Sequence, residues 1–266
     1  MKLRRTRLVL PSAFTAGNLF FGLFAMVSAF RGEVRSACWL IILGGVLDFI
    51  DGKVAKISKT HTQFGAELDS LADIVSFGVA PAVVMYFYLL SGRGEWSWLL
   101  VFLFVLAGAL RLARYNVEKP GPEKKSFTGL PIPVAGGILV SFIPFSQTGI
   151  PDRILGSIGE GKFITVLITI FSILMVSQVR YANFPRIHVR SLRGIAVLVV
   201  ITTLILVMIV FPDYAIFPLG TVYISWGLLK EVLGGFFEDD TKESQRSGER
   251  PLVLEAKRND RTIHPR

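Results

Sequence analysis

The chain has 266 residues, 52% of them apolar, with a mean hydropathy of +0.54, 29 basic against 20 acidic side chains, and one cysteine. A lone Cys38 excludes an intrachain disulfide and a zinc cluster built from thiolates. The formal charge of +9 is scattered between apolar runs instead of forming one stripe, which argues against a nucleic-acid partner and for orientation in a membrane.

Taken in order, the opening MKLRRTRLVL reads as a charged flank. No small-x-small cleavage site follows it, so the segment to about residue 30 is expected to remain as a first span. Apolar runs fall near residues 12–30, 36–54, 70–90, 96–115, 132–150, 163–181, 194–211 and 214–230. Each approaches the roughly 20 residues that cross a bilayer as a helix. The predicted fold class is therefore all-α, a polytopic integral membrane helical bundle of about eight transmembrane helices. It fills residues 1–235, and the polar segment 236–266 is expected to be disordered or to lie on the anionic membrane surface. With this topology 24 basic residues fall on one side and five on the other, which predicts cytoplasmic termini. Trp39, Trp96, Trp98 and Trp226 sit near span ends as interface anchors, and Gly44, Gly45, Gly108, Gly136 and Gly137 are expected at close helix contacts.

The stretch 48–73, DFIDGKVAKISKTHTQFGAELDSLAD, breaks this apolar pattern with Asp48, Asp51, Asp69 and Asp73. An aspartate at mid-bilayer costs about 2.5–3.5 kcal/mol, so four without compensation would cost on the order of 10 kcal/mol. Asp48 and Asp51 are three apart and Asp69 and Asp73 four apart, so each pair shares a helix face. Two such faces brought together would converge hard oxygen donors suited to Mg²⁺, Mn²⁺ or Ca²⁺. Gly52 and Gly65 bracket the connection and leave room for a bulky ligand, and Lys53, Lys56 and Lys59 add positive charge at the same membrane face. Lys59 and His61 read as solvated loop positions.

Asp48, Asp51, Gly52, Ala55, Lys56, Gly65, Asp69 and Asp73 stand at every spacing of the pattern D-x2-D-G-x2-A-R-x8-G-x3-D-x3-D. The stretch thereby resembles the signature of the CDP-alcohol phosphatidyltransferase family. Lys56 replaces the usual Arg, which keeps the charge and loses the bidentate fork. PSAFTAGNLFFGLFAM (11–26), SLADIVSFGVAPA (70–82), ALRLARYNV (109–117), FTGLPIPVAGG (127–137) and MVSQVRY (175–181) are similar to the phosphatidylserine synthase branch, over roughly residues 8–230. The resemblance implies transfer of phosphatidyl from CDP-diacylglycerol to L-serine with release of CMP, in a homodimer. It implies that Asp48, Asp51, Asp69 and Asp73 hold one or two Mg²⁺ or Mn²⁺ ions, with Asp73 also acting as base. Gly52, Ala55, Lys56 and Gly65 would line the nucleotide and phosphate pocket, with Thr15 and Asn18 nearby. Arg111 and Arg180 are the favoured clamps for the serine carboxylate or a phosphate; Arg114, Lys125 and Thr128 are weaker candidates. Competing readings are a family member using another alcohol (inositol phosphate or glycerol phosphate), one using an ether-lipid donor, and a cation transporter. A transporter commonly repeats its broken helices in both halves, whereas no acidic residue stands in the spans at 163–181 and 194–211.

Overall fold

A computed structural model describes residues 2–58, 62–118, 127–181 and 192–248. Helix α1 (Lys2–Phe30) ends in a tight reversal. Gly32 adopts φ +84°, and the amides of Gly32 and Glu33 donate to Ala29 O (3.0 Å) and Ser28 O (2.9 Å). This paired pattern satisfies the last carbonyls of α1 and needs a residue without a side-chain penalty at positive φ. The chain turns back at once into α2 (Val34–Ser58), and the two helices pack along their length.

Helix α3 (Gln63–Asp73) starts on Thr62, whose hydroxyl accepts from the Gly65 amide at 3.0 Å. Helical backbone then continues without a break to Leu90 through a π-helical segment (Ile74–Val79), α4 (Ala80–Met85) and a second π segment (Tyr86–Leu90). Pro81 has no amide to offer the carbonyl of Phe77 four residues back, a conflict that a widened turn accommodates. Helix α5 is Trp96–Glu118. Helices α6 (Ile132–Ser146), α7 (Ile150–Leu155), α8 (Glu160–Val176), α9 (Leu192–Val210) and α10 (Pro212–Gly248) complete the order. Among the described residues the sheet content is one antiparallel pair, β1 (Phe127–Thr128) and β2 (Arg180–Tyr181), with Thr128 opposite Arg180.

The fold is an all-α membrane bundle. Three helical stretches, Ala13–Phe30, Gln63–Leu90 and Trp96–Val117, are long and apolar enough to cross a bilayer, and Ile132–Ser146 and Ala196–Val210 are shorter apolar helices. Among the described residues eight long helical runs follow the eight apolar runs of the sequence, counting Gln63–Leu90 as one. Helix α6 is the axis, buried over most of its length, while α9 exposes apolar side chains almost all round, as suits a helix bathed in lipid. Phe217 of α10 packs on Phe142 and Phe145 of α6, each at 5.2 Å between ring centroids. The described chain divides into two compact units, Met1–Tyr223 and Ile224–Arg266. In the second unit the helix runs to Gly248.

Close approach through glycine is realised at four of the five expected positions. A Cβ on Gly136 would lie 2.3 Å from the Phe77 carbonyl oxygen, on Gly108 2.3 Å from Ile132 Cδ1, on Gly44 2.9 Å from Asn18 Oδ1, and on Gly45 3.4 Å from Phe77. Gly137 faces open space, so its expected contact is not made. Gly136→Ala is accordingly expected to destabilise by about 1–3 kcal/mol, because neither backbone can yield cheaply. Gly137→Ala should be nearly neutral, and thermal unfolding of the two variants in detergent checks the contrast.

Candidate active site

Asp48 projects from the middle third of α2, and Asp69 and Asp73 project one turn apart from α3. One carboxylate oxygen from each lies within 4.8 Å of the other two, and all three residues are half-buried. At an effective dielectric near 20, like charges at such a distance repel by about 4 kcal/mol per pair. The cluster therefore needs positive charge. Its donor set is all hard oxygen, and Asp73 Oδ1 is buried without any hydrogen-bond donor facing it. Acceptors left in this condition suit a hard divalent cation, so the residues present fit a metal site.

Asp51 stands apart from the trio. It is 6% exposed, its Oδ2 accepts from the Thr15 hydroxyl of α1, and its Oδ1 is buried without a partner. Its charge still acts on Asp48 and Asp69. The four sequence-derived carboxylates thus form three converging oxygens and a fourth group tied to the neighbouring helix.

Arg111, on α5, is 8% exposed and lies over the Tyr115 ring at 5.5 Å. It interacts with the charge of Asp73, yet the two form no ion pair, and Arg111 Nε has no hydrogen-bond partner. A guanidinium set back from the acids in this way leaves a donor face for an anion. Arg114 is used otherwise. Its Nη1 and Nη2 donate to Val176 O (2.9 Å) and Ser177 O (3.2 Å), which caps the C-terminal end of α8. Of the two arginines at this span end, Arg111 faces the site and Arg114 joins helices.

Small residues complete the surroundings. A Cβ on Gly52 would meet nothing within 4 Å, so the surface of α2 beside Asp51 is open. Gly65 serves the start of α3, as its bond to Thr62 indicates. Lys53 is exposed, with its ammonium 5.0 Å from the Phe49 ring centroid. Asn18 is fully buried on α1, where its carbonyl accepts from Ser76 Oγ at 3.0 Å. The side chains of Ala55, Lys56, Thr128 and Arg180, and the whole of Lys59, His61 and Lys125, lie outside the described residues.

Two contributors are not singled out by sequence reasoning. Asn116 Nδ2 donates to Ser70 Oγ (3.1 Å), and Ser70 in turn donates to Ala66 O (3.0 Å), strapping α5 to α3 between Asp69 and Asp73. The segment ALRLARYNV contains Asn116, but its side chain looks there like any polar residue at a span end. The first π-helical segment begins directly after Asp73, and such widened turns recur at functional sites.

Residues 8–228 match the model of the CDP-alcohol phosphatidyltransferase family. The chain is 33% identical over 220 residues to the CDP-diacylglycerol–serine O-phosphatidyltransferase of Helicobacter pylori, covering 83% of this chain and 90% of that protein. The Mycobacterium tuberculosis protein of the same name is 32% identical over 227 residues, covering 81% of this chain and 76% of its own length. That of Methanocaldococcus jannaschii is 34% identical over 195 residues, covering 73% and 84%. With the match running through nearly every helix that builds the carboxylate site, this chain belongs to the CDP-alcohol phosphatidyltransferase family.

Proposed function

We propose that this protein is a phosphatidylserine synthase, transferring phosphatidyl from CDP-diacylglycerol to the hydroxyl of L-serine with release of CMP. The observation that carries the proposal is the convergence of Asp48, Asp69 and Asp73 beside a buried, unbonded Arg111, in a chain whose relatives bear that activity in their names. Asp48, Asp69 and Asp73, with Asp51 beside them, would hold one or two Mg²⁺ or Mn²⁺ ions; Ca²⁺ has the same preference for oxygen and is a further possible occupant. When bound, such ions neutralise the charge of the diphosphate so that an oxygen nucleophile can approach phosphorus.

The remaining work falls to the chain itself. Serine's hydroxyl oxygen attacks the β-phosphorus, the bond from that phosphorus to the CMP oxygen breaks, and Asp73 takes the hydroxyl proton. Asp73 suits this role because its Oδ1 is buried, unpartnered and adjacent to the other acids. Arg111, with Arg180 as a second candidate, binds the serine carboxylate or a donor phosphate. Gly52, Ala55 and Gly65 leave room for cytidine, Lys56 meets phosphate, and Thr15 and Asn18 stand on the helix beside that pocket. The excess of basic residues on one side supports a cytoplasmic location for both termini and the site, at the face of a cell or inner membrane. The family resemblance adds a homodimer.

The experiment is CMP release by purified protein with CDP-diacylglycerol and Mn²⁺ or Mg²⁺, comparing L-serine, inositol phosphate and glycerol 3-phosphate. Release with serine alone is expected. Release only with another alcohol would overturn the serine assignment, and no release with any acceptor would return attention to cation transport. Lys56→Arg is expected to keep activity within a few-fold, since both side chains carry the charge and Arg adds the fork. A complete loss would mean that this position has diverged from the family's arginine site.

A further inference from the structure

Thr15 of α1 and Asp51 of α2 are both closed off from solvent, 4% and 6% exposed, and the Thr15 hydroxyl donates to Asp51 Oδ2. The other carboxylate oxygen, Oδ1, is buried and meets no hydrogen-bond donor. An aspartate that only joined two helices would be expected to satisfy both oxygens, because an unpaired buried acceptor is costly. Here one oxygen is fixed and the other is left bare. The group that carries it acts by its charge on Asp48 and Asp69, so Asp51 stands close to the three converging oxygens.

The seam between α1 and α2 accounts for the place of Thr15. Glycine sets the approach of the two helices at two levels. A Cβ on Gly44 would lie 2.9 Å from Asn18 Oδ1, and one on Gly17 would lie 3.0 Å from Leu47 Cδ1. One turn further along this antiparallel seam, Thr15 follows on α1 and Asp51 on α2. Small residues therefore bring the helices together, and the hydroxyl is carried to Asp51 by that packing. A branched Cβ restricts χ1 in a helix, so Thr holds its hydroxyl in fewer directions than Ser would.

We infer that Thr15 is a positioning residue for Asp51: its hydroxyl ties one carboxylate oxygen to α1 and leaves Oδ1 as the oxygen offered to a divalent cation. Asp51 thereby joins Asp48, Asp69 and Asp73 as a ligand from the α1 side of the cluster. This role differs from contact with the nucleotide, and it rests on the reading of the cluster as a metal site. Hydrogen bonds that orient a ligating carboxylate typically change metal affinity about 10- to 100-fold when removed.

The test is titration of the metal-stripped, full-length protein in detergent with Mn²⁺, reading free Mn²⁺ by electron paramagnetic resonance. The sites counted are those lost in Asp69→Asn. Thr15→Val keeps the shape and removes the donor, and is expected to bind Mn²⁺ about 10- to 100-fold more weakly. Thr15→Ala, which cannot overfill the seam, should show the same loss, and Thr15→Ser should recover most of the affinity. Asp51→Ala should weaken binding by itself, and adding Thr15→Val to it should cost nothing further, since no ligand is left to orient. Wild-type affinity in Thr15→Val or Thr15→Ala would overturn the inference. An equal loss in Thr15→Ser would assign the effect to packing, and an undiminished loss in the Asp51→Ala background would assign it to another route; either would overturn it too. A wild-type protein with no Asp69-dependent Mn²⁺ binding would instead overturn the metal reading, and the inference with it.

Discussion

Asp73→Asn should abolish CMP release, with a fall of about 10²–10⁴-fold or more, while the protein remains folded and still binds CDP-diacylglycerol. The side chain keeps its size, so the packing of α3 is preserved. What is lost is a charge in the trio of oxygens and the atom proposed to receive serine's proton; a positioned base alone is worth about 10²–10⁴-fold. The substitution also lowers the mutual repulsion of the cluster, so stability in the absence of metal should be unchanged or higher. Steady-state release, donor binding and thermal unfolding together check all three parts. Retained turnover would remove Asp73 as the base.

Arg111→Met should reduce kcat/KM by about 10- to 100-fold, the worth of a charge-assisted hydrogen bond to a bound anion. Met replaces the length and apolar contact of the side chain, so the loss reports on the charge. Arg111→Lys should recover part of it, because charge returns without the planar fork. The dependence on each substrate assigns the anion. A rise in KM for serine places the serine carboxylate at Arg111, and a rise in KM for the donor places a phosphate there. Arg114→Met offers the contrast. Its bonds to Val176 O and Ser177 O are made within the protein, so the variant should lose stability while turnover by the folded fraction persists.

Much of this arrangement was legible in the sequence because it depends on spacing. Residues four apart lie about 40° from each other around a helix, so Asp69 and Asp73 had to face together. Residues three apart diverge by about 60° the other way, and that is enough to separate Asp48, which meets α3, from Asp51, which turns to Thr15 of α1. The same geometry divides Arg111 from Arg114. Sequence puts both at a span end, and only the placement of α3 and α8 decides which of them faces Asp73. The π-helical turns at Ile74–Val79 and Tyr86–Leu90 leave no mark in hydropathy, since they change how the backbone is wound and not which residues are apolar. Gly137 departs from the expected helix contact for a related reason. A small residue permits close contact without requiring it, and this one faces open space.

The most direct measurement is incorporation of isotopically labelled L-serine into extractable lipid by the purified protein. It would be run with CDP-diacylglycerol after metal removal and again after Mn²⁺ or Mg²⁺ is restored. No labelled lipid is expected without the ion, labelled phosphatidylserine in a one-to-one ratio with CMP is expected once it returns, and none is expected with Asp73→Asn. Labelled lipid formed equally well after exhaustive metal removal, or by the Asp73→Asn protein, would contradict this expectation.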